Sequence, residues 1–196
     1  WGEHAAPAQR GSRARASAGV AGDWIRVMGG TFDERDGVQS TTSDDTGGQT
    51  PEHDYQAVSA GGTGHAEAVR IEYDPRKVSY ERLLDVFWHN VDPTDAGGQF
   101  CDRGSQYRSE IFYADDAQRA AAERSRAALQ ANKPFTQPIV TQIVAATTFY
   151  PAEEYHQDYY MKNPLRYKFY RYNCGRDKRL EALWGSAAAH HEETLK

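Results

Sequence analysis

Short stretches of the chain alternate apolar and polar side chains, which is the pattern of a strand buried on one face. In AVRIEYD (68–74), the apolar residues stand at every second position and charged residues stand between them. RSEIFYAD (108–115) and PIVTQIVAAT (138–147) predict two further strands, and a short early strand is expected near residues 36–42.

Two other stretches have apolar residues at helical spacing. SYERLLDVFWHN (79–90) places its large apolar residues on one helical face, and Ser79 is a candidate N-cap. DAQRAAAERSRAALQAN (116–132) is rich in alanine and follows an aspartate that can cap a helix. The region 149–185 is crowded with tyrosines and charges, which favours short helices over sheet.

This order of elements predicts an α+β protein. We expect a two-layer, ferredoxin-like α/β sandwich with two helices on one sheet and long irregular loops over 40–64 and 92–107. A C-terminal segment of coil and short helices should follow. The domain is expected to span residues 20–185, with a disordered tail at 1–19 and a weakly ordered one at 186–196.

Composition argues against two classes of function, nucleic-acid binding and membrane insertion. The chain has 196 residues, enough for one domain with a full core, and its net charge is −5. An acidic balance argues against nucleic-acid binding, and no apolar run approaches the roughly 18 residues of a membrane span. The basic, Ala/Ser-rich start resembles a transit segment or, more simply, a tail.

The chain has two cysteines, Cys101 and Cys174. They could form a disulfide, act as a redox pair or remain two buried thiols. Because two are too few for a disulfide scaffold, we expect a cytoplasmic protein.

Polar groups that can carry chemistry lie mostly in the irregular segments. His65 and Glu67 are two residues apart and share one strand face. A buried carboxyl beside phenols can act as a general acid. The alternative is that these acids cap loops or face solvent and that the tyrosines are core rings. The candidates outside this pair are Tyr55, Asp102, Tyr107, His156, Asp158, Tyr159 and Tyr160.

A metal site formed by His65, Glu67, Asp102 and His156 is also conceivable, but no metal-ligand spacing supports it. We therefore expect no metal and no bound cofactor.

Four long motifs make the sequence specific: SAGGTGHAEAVRIEYDP, DVFWHNVDPTDAGGQFCDRGSQYRSEIFY, QPIVTQIV and FYPAEEYHQDYYMKNPLRYKFYRYNCGRDKRLEALWG. They closely resemble the type A peptide-methionine (S)-sulfoxide reductases over about residues 20–185. The resemblance implies a monomeric, thioredoxin-dependent oxidoreductase that repairs oxidised methionine, in proteins or free, under oxidative stress.

The resemblance also implies the mechanism. A cysteine thiolate attacks the sulfoxide sulfur, a carboxylic acid protonates the oxygen, and a second thiol resolves the sulfenic acid. By position in the motifs, Glu67 would be the general acid, Tyr55 and Tyr107 would hold the oxygen, and Asp102 would support them. Cys174 is a candidate resolving thiol.

The chain departs from the family at the nucleophile. The family has a Gly-Cys-Phe-Trp run, whereas a gapless alignment gives Asp23, Trp24, Ile25 and Arg26 here. An indole cannot attack sulfur or form a sulfenic acid. Further departures are Gly29 in place of a glutamate, and Asp44 and Asp45 before TGG in place of Gly-Tyr.

Three interpretations of the altered segment stay open. In the first, the coding sequence is erroneous, decayed or deliberately changed, and the chain is an impaired or inactive reductase. In the second, the chain is a pseudoenzyme that binds peptides containing methionine or its sulfoxide. The third interpretation is residual chemistry through Cys101 or Cys174. Nearby arginines and lysines favour a thiolate at Cys174, whereas the charge of Asp102 disfavours a thiolate at Cys101.

The run RYKFYRY (166–172) interleaves rings with cations, a pattern that can bind single-stranded RNA. The acidic total favours the other interpretation, in which this run packs the C-terminal segment onto the body.

Overall fold

The computed structural model of the chain describes residues 14–19, 32, 35–46, 64–151 and 157–185. Within those residues the strands are β1 (Ala14–Gly19), β2 (Val38–Thr46), β3 (Ala66–Tyr73), β4 (Gly98–Gln99), β5 (Asp102–Arg103), β6 (Glu110–Tyr113), β7 (Gln142–Ala145) and β8 (Tyr150–Pro151). The α-helices are α1 (Tyr80–Asn90), α2 (Asp116–Asn132), α3 (Tyr159–Lys162), α4 (Pro164–Asn173) and α5 (Arg176–Trp184). A 3-10 helix spans Ser105–Tyr107.

Six of these strands form one sheet in the order β7-β6-β1-β3-β2-β8. Only the β6–β7 pairing is parallel; the others are antiparallel. The inner order β6-β1-β3-β2 is that of a ferredoxin-like sheet, with α1 connecting β3 toward β6. The predicted α+β class is confirmed. Strands β4 and β5 form a separate hairpin.

The two long helices begin where their caps predict. The Ser79 hydroxyl accepts a hydrogen bond from the Arg82 amide at 3.1 Å, and α1 starts at the next residue. The Asp115 carboxylate accepts one from the Gln118 amide at 2.8 Å, and α2 follows. Each cap satisfies an amide that the helix itself leaves without a partner.

Both helices pack on one side of the sheet. Strand β3 contributes Val69, Ile71 and Tyr73 to this core, and β6 contributes Ile111. The indole of Trp88 in α1 donates to the Ser125 hydroxyl in α2 at 2.7 Å, so the two helices are also joined by a hydrogen bond. On the opposite side of the sheet, a smaller cluster is formed by Ala66, Ala68 and Phe112 with Val144, Ala146 and Phe149.

The prediction of a disordered tail over residues 1–19 is wrong for residues 14–19. Residues 14–19 form β1, which lies between β3 and β6 in the middle of the sheet. The sequence ARASAG has no alternation of large apolar residues, so its strand conformation follows from backbone pairing on both edges rather than from its own pattern. The loop predicted over 92–107 likewise contains the β4–β5 hairpin and the 3-10 helix.

The C-terminal segment is helical, as its composition predicts. Leu180, Leu183 and Trp184 of α5 pack with Phe135 in a satellite core. The Arg179 guanidinium donates to the Asp92 carboxylate at 2.6 Å. Helix α5 is therefore anchored to the body by both apolar and charged contacts.

The run 166–172 lies in α4 and divides its side chains between the body and the surface. Tyr167 packs against the main core, whereas Phe169 and Tyr172 are exposed. The packing interpretation of this run is borne out for Tyr167. RNA binding through the exposed rings stays untested.

The turn after β3 generates a prediction about acid stability. The Asp74 carboxylate accepts hydrogen bonds from the Arg76 guanidinium at 3.0 and 2.7 Å and from the Arg76 amide at 3.0 Å. These bonds lower the pKa of Asp74 from 3.8 to about 2. A carboxyl with a lowered folded-state pKa contributes stability above its unfolded pKa and loses it as the pH falls through the folded value.

We therefore expect Asp74→Asn to lower the free energy of unfolding above pH 3.8, and the difference from the unsubstituted chain to disappear as the pH falls toward about 2. Urea unfolding of both proteins across this window measures it. A difference that does not change with pH would contradict the assignment.

Candidate functional site

The start of β3 holds the candidate general acid. Glu67 is 6% exposed and His65 is 2% exposed. Because side chains alternate along a strand, Glu67 lies on the side of β3 that carries Val69 and Ile71. The His65 ring meets the Tyr150 ring of β8 edge-on, with 5.8 Å between centroids. The polar residues at the start of this strand are thus a carboxyl and an imidazole that are both shielded from water.

Arg108 connects this strand to two neighbouring elements. Its guanidinium donates to the Gly64 carbonyl at 3.2 Å and to the Ser105 carbonyl at 2.9 Å. It also donates to the Glu110 carboxylate at 2.9 Å. One side chain therefore holds the approach to β3, the 3-10 helix and β6 together. Tyr107, at the end of that 3-10 helix, is half-buried.

Glu110 is the buried partner of this arginine. Burial raises the pKa of Glu110, while the charge and the hydrogen bond of Arg108 oppose that rise. The Glu110 side chain is almost fully enclosed and the Arg108 side chain is mostly enclosed. Such a pair positions the surrounding backbone because separating its members leaves a charge in surroundings that solvate it poorly.

Asp102 lies on the β4–β5 hairpin, and its partner comes from the far end of the chain. The Tyr170 hydroxyl of α4 lies 2.8 Å from both Asp102 carboxylate oxygens and donates to them. A hydrogen bond to an ionised acceptor is stronger than one between neutral groups. Helix α4 is thereby fastened to the hairpin that precedes the 3-10 helix and Tyr107.

Cys101 and Cys174 form a disulfide that links the same two elements. The interpretation of the cysteines as two separate buried thiols is therefore wrong for this structure. Cys101 is exposed at the tip of the hairpin, and Cys174 is the C-cap of α4. Their α-carbons are 5.2 Å apart across 73 residues of sequence.

Several predicted site residues lie outside the described residues: Trp24, Ile25, Arg26, Tyr55, Asp23, Gly29 and His156. The predicted candidates that the structure does describe are His65, Glu67, Cys101, Asp102, Tyr107, Asp158, Tyr159, Tyr160 and Cys174. Asp158 is the N-cap of α3, and Tyr159 and Tyr160 lie in that helix. The structure joins Cys174 to the neighbour of Asp102, and it joins the elements of Glu67 and Tyr107 through Arg108. The chemical roles assigned to these residues stay predictions.

Pattern reasoning missed Arg108, Glu110 and Tyr170. Tyr170 and Cys174 are four residues apart and therefore share a helix face, while Asp102 and Cys101 are adjacent. Each cysteine thus has a hydrogen-bonding residue beside it, Tyr170 for Cys174 and Asp102 for Cys101. This arrangement could have indicated that the two pairs are in contact. Arg108 and Glu110 are two residues apart, as His65 and Glu67 are, so alternation could also have indicated that they share a strand face.

Among the residues that the structure describes, no helix is long and apolar enough to cross a membrane. The same residues contain no group of three or more histidine, cysteine, aspartate or glutamate side chains placed to hold a metal ion.

The buried pair gives a stability prediction. Arg108→Gln leaves the Glu110 carboxyl enclosed without its cation, and we expect a loss of about 3 kcal/mol in the free energy of unfolding. The matched control is Arg119→Gln, whose partner Glu123 is exposed, and this change should cost less than about 1 kcal/mol. Chemical denaturation of both variants measures the difference, and equal losses would contradict the positioning role of Arg108.

The sequence was compared with known families and proteins. The profile of the family described as peptide methionine sulfoxide reductase matches residues 17–188. A peptide methionine sulfoxide reductase MsrA of Listeria innocua is 47% identical over 167 residues, covering 85% of this chain and 94% of the relative. A protein of the same name from Bacillus licheniformis is 47% identical over 171 residues, covering 87% and 94%.

Solved structures give the same result. Mxr1 of Saccharomyces cerevisiae in its reduced form has a TM-score of 0.72 at 27% identity, covering 80% of this chain and 89% of that one. Methionine sulfoxide reductase A of Corynebacterium diphtheriae has a TM-score of 0.68 at 32% identity, covering 81% and 78%. Mxr1 in complex with Trx2, at 19% identity and a TM-score of 0.52, shows the fold alone.

The resemblance stated from the sequence motifs is confirmed. The family profile covers most of the chain, and the relatives match it over nearly their whole length. The chain belongs to the peptide methionine sulfoxide reductase family.

Proposed function

We propose that the chain binds methionine sulfoxide beside Glu67 and is impaired in reducing it by the family's route. The observation that carries this proposal is the placement of its cysteines. The sequence contains two, and the structure joins both in one disulfide. Position 24, where the resemblance expects the nucleophile, holds a tryptophan.

The site supports the binding half of the proposal. Glu67 is enclosed at the start of β3, and Arg108 ties that start to the helix that ends in Tyr107. A sulfoxide oxygen is a strong hydrogen-bond acceptor, so it needs donors fixed in place. A carboxylic acid and phenols are donors of that kind. Tyr55, which the resemblance assigns to the same site, would supply the second phenol.

The impairment in the proposal concerns the supply of electrons to the sulfoxide. Reduction of a sulfoxide by thiols requires a sulfur nucleophile that can become a sulfenic acid or a disulfide. Trp24 provides neither, and Arg26 replaces an apolar pocket residue with a charge. The proposal therefore keeps the substrate class of the family and assigns this chain little or no turnover through position 24.

Partners and location follow from the family. Thioredoxin is the expected reductant if turnover is present, and Mxr1 has been solved in complex with Trx2. We further propose that the protein works in the cytoplasm as a monomer. The low cysteine content supports the cytoplasmic assignment, whereas the Cys101–Cys174 disulfide is of a kind that is rare in cytosolic proteins.

A second candidate function is sulfoxide reduction through the Cys101–Cys174 pair. The observation behind it is that Cys101 directly precedes Asp102, which the resemblance places in the sulfoxide site, although the charge of Asp102 disfavours a thiolate at Cys101. Incubating the chain with a peptide containing methionine-S-sulfoxide and dithiothreitol separates the two. Saturable binding without turnover supports the binding function. Turnover that disappears in Cys174→Ser supports the second candidate, and absence of both binding and turnover would overturn both.

Restoring the nucleophile motif tests why the chain is impaired. We expect Trp24→Cys alone to recover little turnover, because Ile25 and Arg26 still stand where the family has an aromatic pocket. The triple change Trp24→Cys, Ile25→Phe and Arg26→Trp should recover much more. Steady-state rates with dithiothreitol measure both, and equal recovery by the single change would contradict the pocket argument.

The triple variant also allows a test of Glu67. Adding Glu67→Gln removes the proposed proton donor, and we expect kcat to fall by about 10²- to 10⁴-fold. The matched control is Glu72→Gln on the same strand, where the side chain is half-buried and lies on the other face. A similar fall in both variants would show that Glu67 acts through strand stability instead.

A further inference from the structure

The two cysteines of the chain, Cys101 and Cys174, form a disulfide. It joins the tip of the β4–β5 hairpin to the junction between α4 and α5. Cys101 is exposed, whereas Cys174 and the following Gly175 are half-buried. A thiol in solution can therefore approach one sulfur of the pair more easily than the other. Disulfides with an exposed sulfur are generally the exchangeable ones.

The segment that carries Cys174 is held in place without the disulfide. The Arg176 guanidinium, on a side chain that is 2% exposed, donates to the Asn90 side-chain oxygen at 3.1 Å. Arg179 donates to Asp92, and Leu183 and Trp184 pack in the satellite core. Because these contacts anchor α5, the sulfur–sulfur bond can open without releasing the segment.

The turn between α4 and α5 is also bridged independently. The Arg171 guanidinium of α4 donates to the Asp177 carboxylate of α5 at 2.8 Å. This ion pair keeps the two helices together when the disulfide is open. Cys174 therefore stays close to Cys101 in the reduced state, which allows the bond to form again.

Two helix ends meet at Cys174. It is the C-cap of α4, whose carbonyls disfavour an anion, and it precedes α5, whose N-terminal amides favour one. These two helix ends act in opposite directions on a Cys174 thiolate. Exposure therefore decides the direction of attack, because Cys101 is exposed and Cys174 is half-buried.

Tyr170 provides a hydrogen-bonding group for the other sulfur. Its hydroxyl oxygen lies 3.1 Å from the Cys101 sulfur while its proton is donated to Asp102. When Cys101 is a thiol, its S–H can donate to this oxygen. When Cys101 leaves as a thiolate, the same hydroxyl can turn its proton toward sulfur. The oxidised and reduced states therefore share one set of partners.

We propose that Cys101 and Cys174 form a reversible dithiol–disulfide exchange site for small thiol or dithiol reductants. A reductant thiolate forms a bond to the Cys101 sulfur, the Cys101–Cys174 bond breaks, and its electron pair leaves on Cys174. A second reductant thiolate then attacks the reductant's sulfur in the mixed disulfide, and Cys101 leaves. Two electrons pass to the protein, the reductant ends as its disulfide, and solvent supplies a proton to each cysteine. The exchange reaction does not require a bound sulfoxide.

Reduced glutathione is the probe that tests the site. The oxidised full-length chain is mixed with glutathione, quenched with acid at intervals and alkylated, and the adduct is located by peptide mass spectrometry. We expect the mixed disulfide on Cys101 and both cysteines alkylated at the end of the reaction. Adduct on Cys174 would overturn the direction of attack. A pair that resists glutathione until urea is added would overturn the site.

Tyr170→Phe tests the hydrogen bond to sulfur. We expect formation of the mixed disulfide to continue at its original rate and its decay to slow by about 2- to 10-fold, the effect of losing one hydrogen bond. Tyr172→Phe is the matched control, since this tyrosine is on the same helix, near Cys174 and 82% exposed. Equal decay in the two variants would overturn the role of Tyr170. Adduct mapping in the unsubstituted chain stands whether or not Tyr170→Phe folds.

Discussion

The bonds of Arg108 are the constraint on which the described part of the site depends. This side chain donates to a carbonyl just before β3, to a carbonyl of the 3-10 helix and to a buried carboxylate on β6. Glu110 and Ser105 are two and three residues from Arg108 in sequence, whereas Gly64 is 44 residues away. The bond to Gly64 is therefore the one that local propensity does not supply. The Glu110 carboxylate is buried, so the Arg108 guanidinium is needed to stabilise its charge. Loss of that hydrogen bond would leave a charged group in surroundings that solvate it poorly. Glu67 and Tyr107 are positioned relative to one another through this side chain.

The fold could be predicted from sequence where a segment determines its own structure. The pattern of 79–90 and the caps of both long helices gave the boundaries of α1 and α2 closely, since caps and apolar spacing are local properties. Strand β1 could not be predicted this way. Its residues are small or polar. Its conformation is determined by pairing with β3 and β6, and this pairing cannot be inferred from the sequence of 14–19 alone.

In the candidate site, too, some features could be predicted from the sequence and others depend on the folded chain. The motif GHAEAV places His65 and Glu67 on one strand face by alternation, and the structure has both side chains enclosed. The contact between Asp102 and Tyr170 spans 68 residues, and it depends on how α4 docks on the hairpin. A residue type can be assigned from a motif, but its partner depends on packing that only the folded chain defines. For this reason the family resemblance supplied Asp102 and the structure supplied Tyr170.

Proton delivery and electron supply are separate requirements in sulfoxide reduction, and the candidate groups for them belong to different elements of this chain. The enclosed carboxyl of Glu67 is at the start of β3, while the two sulfurs are joined between the hairpin and α4. Asp102 adjoins Cys101 and hydrogen-bonds to Tyr170, so opening the disulfide changes the surroundings of a carboxylate that the resemblance places in the sulfoxide site. With tryptophan at position 24, these two sulfurs are the whole thiol capacity of the chain. Any electrons that its cysteines give to a substrate must therefore pass through the region where Asp102, Tyr170 and Cys101 meet.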